Sequence, residues 1–518
     1  MITAKQIILS IPGRFRPEKA RGADLCVHFQ LDGAEILSYS ISISNQNCTL
    51  MEGLQGTPDC LVTCKSELYI DLETGKANPQ MALLKGKLKV SRLSVMMQFS
   101  KCFRRFSPEI QIPMEEIKIL STPKRTLANG PLKGVRILDF SRLLPGPLGS
   151  LFLADMGAEV IKIEDPDNPD YVREFEPKLD EHSVFYHALN QGKRSLGINY
   201  MSAEGRECIL KMIPKTDIFL EAFRPGVMAR FGLNYEVIKN INPRIIYASI
   251  TGFGQSDPRA GHDLNFMAES GLLNLNGTPD KVVIPGFQTA DVAGGSYVLL
   301  SAVLAALYQR EKTGFGCYLD ISMTDAVIPL QAMSIAAIQA DENNRKRGAG
   351  ELSGGLPNYN VYKCSDDKWI ALGSLEPKFW EPFCKKVNRE DWISAPLSSD
   401  DVRDKVIEEV KSLFLSRTQS AWIELFKVDD LCLSPVNSLE EVLSRKDFHD
   451  RQVLLNRKLD NNREFTTLSF PVQFEKSEKK ERWNAPEIGE DTASLLNELG
   501  YDDQQIQKMA KQGIVRLG

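Results

Sequence analysis

Val135-Arg136-Ile137-Leu138-Asp139-Phe140, then Pro147–Met156, then Glu159-Val160-Ile161-Lys162-Ile163-Glu164 is the stretch that decides the fold. Its first and third parts are short, mostly aliphatic runs of the kind found in strands buried on both faces, and the part between them has helical length and character. Strand, helix, strand in that order is a βαβ unit, and such a crossover sets the two strands parallel. The pattern then repeats. A helix over Ala203–Ile213 precedes a strand over Asp217–Glu221, and a helix over Tyr235–Asn240 precedes a strand over Ile245–Ile250. An α/β fold with a doubly wound, Rossmann-like sheet is therefore expected. Gly146-Pro147-Leu148-Gly149 follows the first strand without the G-x-G-x-x-G spacing, and no Walker loop occurs, so no dinucleotide or nucleoside triphosphate site is predicted.

Downstream, Gly294–Arg310 and Thr324–Ile338 are apolar almost all round and are predicted to be buried helices. Shorter mixed elements follow, so residues 133–350 and 465–518 are assigned to a large domain and 351–464 to a small one. Glu475–Arg482 is a solvated charge run, and Thr492–Gln512 has the pattern of a surface helix pair. Upstream, Ser107–Leu132 is rich in Pro, Lys and Glu and carries the breakers Thr122-Pro123 and Asn129-Gly130-Pro131, which marks residues 107–132 as a linker. It separates off residues 1–106, an α+β unit with strand-like segments in Asp24–Ser44 and Cys60–Leu72 and mixed character over Pro79–Phe103.

The 518 residues are 42% hydrophobic and 25% charged, with a formal net charge of −5, the composition of an ordinary globular protein. No basic excess advertises a nucleic-acid or anionic-membrane surface, so an anionic ligand must be held by local groups. Ten scattered cysteines without an export-signal pattern imply free thiols and a cytoplasmic location. Cys60 and Cys64 lack a second ligand pair, so they are read as buried strand thiols and no metal site is expected. The longest apolar run, Tyr297–Tyr308, is interrupted by Ser301 and falls short of a membrane span.

Histidine is scarce, and His262 stands in Gly261-His262-Asp263-Leu264-Asn265 ahead of an apolar helical segment. On these residues alone it fits a cap or a packed side chain as well as a base. Asp291, in Ala290-Asp291-Val292-Ala293-Gly294-Gly295, is either a helix cap or a carboxylate beside backbone that small residues leave open to a ligand. Glu376, in Gly373-Ser374-Leu375-Glu376-Pro377, reads by itself as a cap.

Gly134-Val135-Arg136-Ile137-Leu138-Asp139, Ala154-Asp155-Met156-Gly157-Ala158-Glu159-Val160-Ile161-Lys162-Ile163-Glu164 and Arg224-Pro225-Gly226-Val227 together resemble the family III CoA-transferases, over about residues 131–505. Thr251-Gly252-Phe253-Gly254-Gln255, Gly261–Asn265, Ala290–Gly295 and Leu375-Glu376-Pro377-Lys378-Phe379 resemble that family's α-methylacyl-CoA racemase branch. The resemblance implies His262 and Asp291 as an acid/base pair, one on each face of a thioester's α-carbon, with Glu376 hydrogen-bonded to the histidine. It places CoA, the only cofactor-like group and itself part of the substrate, near Lys162, Ile198, Asn199, Tyr200, Arg224, Arg230 and Asp263. Met201 departs from a commonly basic position. Two subunits interlocked as rings are also implied. In a true CoA-transferase of this fold, the residue at Asp291 would instead be a nucleophile. A non-catalytic lipid or acyl-CoA carrier would need neither side chain.

Residues 1–106 resemble a sterol carrier protein type-2 domain, through Ile11-Pro12-Gly13-Arg14-Phe15, Leu31-Asp32-Gly33, Leu72-Glu73-Thr74-Gly75-Lys76-Ala77-Asn78-Pro79 and Leu84–Val90. Arg92 replaces a usual glycine, and a final helix Met96–Phe106 carries Lys101, Arg104 and Arg105. A fatty acyl or sterol-like ligand for this unit is the implied partner.

Overall fold

The computed structural model describes residues 3–518 other than 21–23, 35, 45–46, 105–129, 341–346, 460 and 476–481. It forms two compact units, Met1–Thr126 and Leu127–Gly518. Most of the predicted linker and of the charge run 475–482 lies outside the described residues.

In the N-terminal unit, β1 (Leu25–Asp32), β2 (Leu37–Ser44), β3 (Asn47–Glu52), β4 (Cys60–Lys65) and β5 (Leu88–Val90) form one sheet in the order β3-β2-β1-β4-β5. β1 runs parallel to β4 and antiparallel to β2. Period-2 alternation in β1 sends Val27, Phe29 and Leu31 to one face, where Phe29 meets Tyr69 and Phe99 at 5.8 Å between ring centroids. Those rings come from α2 (Ser66–Glu73) and α4 (Leu93–Lys101); α1 (Ala4–Leu9) and α3 (Pro79–Leu84) complete the unit. The segment 60–72 read as one strand splits at Lys65 into β4 and α2, and the last helix begins and ends earlier than predicted. Cys60 and Cys64 are free buried thiols two strand steps apart on one face of β4.

In the second unit, β6 (Arg136–Asp139), β7 (Glu159–Glu164), β8 (Arg194–Ile198), β9 (Ile218–Glu221), β10 (Ile246–Thr251) and β11 (Tyr318–Ser322) pair in the order β11-β10-β9-β6-β7-β8, and Val515–Arg516 closes the far edge. All pairs are parallel except the last, in which Val515 lies opposite Ile198. The crossovers run through helices that include α5 (Pro145–Asp155), α6 (Ala203–Met212) and α7 (Tyr235–Ile241). The doubly wound sheet thus agrees with the expectation, and its two faces carry separate apolar cores. The chain leaves for a smaller body, in which a three-stranded antiparallel sheet over Tyr359–Lys363, Trp369–Gly373 and Leu433–Val436 packs on Trp380, Phe383, Phe414 and Trp422. It then returns, and the helices Thr492–Glu498 and Asp503–Lys511 cover β8 and the edge.

The two apolar helices depart from expectation. α8 (Asp263–Glu269) is followed by α9, a 24-residue helix over Ala290–Thr313 whose first turns are wide π turns. Its length and composition would suffice to cross a bilayer, but in this fold Leu299, Leu300, Val303 and Ala306 are buried, packing in the same core as α5 and β10. Tyr297 and Tyr308 face outward. The segment 324–338 breaks at Pro329, and α10 (Ala332–Ala340) buries no side chain, with Met333 72% exposed. An all-round apolar sequence here marks a helix without fixing that its own chain covers it.

Candidate active site at the sheet switch point

Strand order reverses between β6 and β9, where one crossover turns left and the next turns right. In an open α/β sheet a crevice opens there, at the carboxyl ends of the strands. A cavity of about 280 Å³ occupies that position, lined by Arg142, Leu143 and Pro145 after β6, by Phe223, Arg224 and Pro225 after β9, and by Thr251 and Gly252 after β10. His262 and Asp291 line the same cavity.

His262 is the N-cap of α8 and is exposed, its backbone N–H donating to Asn265 Oδ1 at 3.1 Å. The other four histidines have structural partners: His28 with Gln55 O, His182 with Glu487, His187 with Asp180 and His449 with Leu443 O. Asp291 sits in the first turn of α9, and burial, followed by repulsion from the Asp263 carboxylate, pushes its carboxyl up to about 7. Asp263 also links the two candidates. Its Oδ1 accepts from the backbone N–H groups of Ala290 at 2.7 Å and Asp291 at 3.0 Å, so the first residue of the His262 helix caps the Asp291 helix. That carboxylate positions backbone, and Asp263 is not among the residues lining the cavity. The small residues after Asp291 also serve packing rather than a ligand. A Cβ on Gly295 would stand 2.6 Å from Pro145 Cβ, and one on Gly294 would stand 3.0 Å from Met323 O.

The remaining predicted residues separate. Lys162 is fully buried, its Nζ donating to Asp170 Oδ2 at 2.9 Å and Ser141 O at 3.1 Å, so it has no face to offer a phosphate. Ile198 and Tyr200 belong to the core on one face of the sheet, and Asn199 Oδ1 accepts from Met201 and Ser202 N–H in the turn after β8. Arg224 is exposed on the cavity wall. Arg230 is exposed and is not among the residues lining the cavity. Glu376 caps the helix α11 (Pro377–Lys386) in the small domain; it is exposed, does not line the cavity and has no hydrogen bond to His262.

The sequence profile of CoA-transferase family III matches residues 132–492. The chain belongs to this family. Human alpha-methylacyl-CoA racemase is 29% identical to it over 390 residues, covering 74% of the chain and 97% of that protein. Mouse succinyl-CoA:glutarate CoA-transferase is 31% identical over 401 residues, covering 74% and 90%. A crystal structure of a CAIB/BAIF family protein from Brucella suis superposes with a TM-score of 0.62 at 27% identity, covering 72% of the chain and all of that structure. The SCP-2 sterol transfer family matches residues 15–104, so this CoA-transferase family III enzyme carries an SCP2 domain in front.

Two cavity features of this family III chain escaped the sequence reading. Arg142 and Arg259 join Arg224 on the wall, although Arg259 also pairs with Asp257 and Glu269. Arg142 was legible from its place just past the first strand of a βαβ unit, where open sheets bind ligands. The other feature is strain. Leu143 lines the cavity with φ +62, a left-handed conformation that a branched side chain rarely adopts. Its N–H donates to Asp170 Oδ1 at 3.2 Å, and Asp170 is the partner of Lys162. The buried ion pair thus holds the strained turn on the cavity wall.

Proposed function

We propose that this enzyme epimerises a 2-methylacyl-CoA, branched fatty or sterol-derived, by removing the α-proton and returning it on the other face. The observation that carries the reading is that His262 and Asp291, 29 positions apart, line one cavity at the switch point. In one direction, one of the two groups takes the proton, the C–H electron pair enters the thioester carbonyl as an enolate, and the other group donates a proton to the opposite face. In the reverse direction they exchange roles. A carboxyl held at about 7 suits this exchange, because near neutral pH it can both accept and return a proton. Three guanidinium groups on the wall, in a chain of net charge −5, support an anionic CoA ester as the ligand. No cofactor beyond the CoA of the substrate is proposed.

The resemblance requires Glu376 to reach His262, and Glu376 of the same chain does not. We therefore assign that contact to Glu376 of the partner subunit in an interlocked homodimer. The second reading is CoA transfer between carboxylic acids with Asp291 as nucleophile, and it is favoured by the transferase relative at 31% identity. Incubating one epimer of a 2-methylacyl-CoA in deuterated water, with and without a free carboxylic acid, separates the two. Deuterium at the α-carbon with epimerisation supports the racemase; CoA transfer to the acid without α-label supports the transferase.

A further inference from the structure

Glu221 ends β9, on one side of the switch point, and is buried at 4% exposure. Its Oε1 accepts from the Ser249 hydroxyl and its Oε2 from the Phe223 N–H at 2.7 Å, yet no cation pairs with it among the described residues. The carboxyl faces a second cavity, of about 340 Å³, walled also by Gln255, by Tyr247 of β10, by Tyr318 of β11 and by Tyr235 and Glu236 of α7. Among the described residues, Arg224 alone lines both this cavity and the one that holds His262 and Asp291. It is exposed and has neither an ion pair nor a side-chain hydrogen bond among those residues.

We propose that Glu221 competes with the CoA ester for Arg224: the guanidinium turns into the second cavity to pair with Glu221, and leaves it to meet the phosphates of an arriving ester. Glu221 is then a positioning residue that acts through Arg224, weakening ester binding and easing release. The inference rests on the catalytic cavity taking a CoA ester, which the racemase and transferase readings share. A carboxylate without a counter-ion is costly to bury, and Arg224 is the cation on the wall of its own cavity. The other charged groups nearby do not serve. Glu236 and Asp320 are themselves acids, and Lys239 holds its ammonium 5.2 Å over the Tyr235 ring without lining the cavity. Gln255 Nε2 donates to Ser249 Oγ at 2.7 Å, so the hydroxyl that holds Glu221 is itself fixed and the carboxylate is a stationary target. Burial, opposed by its two hydrogen bonds and reinforced by Asp320, pushes the Glu221 carboxyl up to about 7. The competition is therefore present above that pH and lost as pH falls through it.

The test is calorimetric binding of a thioether analogue of 2-methylacyl-CoA to the full chain. Glu221→Gln keeps the volume and an acceptor for the Phe223 N–H while removing the charge. It should bind the analogue about fivefold more tightly than the unsubstituted enzyme at about pH 8, and less than about twofold more tightly at about pH 6. In an Arg224→Ala background the same substitution should change nothing. Arg224→Ala alone, at an exposed position, keeps the test open if Glu221→Gln does not fold. The affinity that Arg224 adds should shrink about twofold between roughly pH 6.5 and pH 8. Equal tightening by Glu221→Gln with and without Arg224 would make Glu221 a structural group and overturn the proposal. Binding that Arg224→Ala weakens and Glu221→Gln leaves unchanged overturns the proposal alone, whereas no binding by the unsubstituted enzyme overturns the CoA ester reading with it.

Discussion

Asp263 does the least conspicuous work at the site and sets the terms for Asp291. Its oxygen fixes the backbone at Ala290 and Asp291 while its charge, second to burial, raises the carboxyl of Asp291. Where Asp291 must be ionised to act as base, activity is present above about pH 7 and lost as pH falls through that value. Asp263→Asn keeps an acceptor oxygen and removes the charge, which lowers the Asp291 pKa. The acid limb of the pH–rate profile should move to lower pH, with activity at pH 6 rising roughly twofold or more relative to the unsubstituted enzyme; an unmoved limb would assign the whole effect to burial. Lys162 belongs to the same scale. Lys162→Ala strands Asp170 as a buried unpaired charge and should cost about 3–5 kcal/mol in urea denaturation. A stable variant with a raised KM for the CoA ester would instead restore Lys162 as a phosphate contact. Sequence alone could not separate these cases, because a lysine on a strand reads the same whether its amine meets solvent or a carboxylate from a loop eight residues on.

At the scale of elements, the βαβ rhythm was legible because strand and helix differ in period and in length, and Glu159–Glu164 was read with the bounds it adopts. Less legible were the reasons for small residues. Gly294 and Gly295 suggested backbone open to a ligand, yet they let α9 approach Pro145 and Met323. Pro145 is a ring fixed to backbone and cannot turn aside, so Gly295→Ala should cost about 1–3 kcal/mol. Gly286→Ala, at a position with no heavy atom within 4 Å of the added carbon, should be close to neutral. Equal melting temperatures for the two variants would contradict the close packing of α9.

For the whole molecule, the helix α10 is the part that the single chain leaves unexplained. Leu330, Met333, Ile335 and Ile338 are exposed along and just before it, more aliphatic surface than one helix leaves in water without a partner. The all-round apolar character of 324–338 identified a helix, and only the folded chain shows these four side chains exposed among the described residues. If the enzyme is an interlocked dimer, light scattering should give twice the 58.0 kDa chain mass. Met333→Lys/Ile338→Lys should yield monomers at least about tenfold less active, because Glu376 of the partner subunit is then lost. A fully active monomer would contradict the assignment.

The central claim is that two groups serve opposite faces of one carbon, and α-deuterium exchange by the single variants tests it most directly. His262→Ala, with Asp291 intact, should exchange the α-proton of one 2-methylacyl-CoA epimer with retention and leave the other epimer unlabelled. Asp291→Asn should do the reverse, and neither variant should epimerise. Exchange of the same epimer by both variants, or undiminished epimerisation by either, would contradict the account.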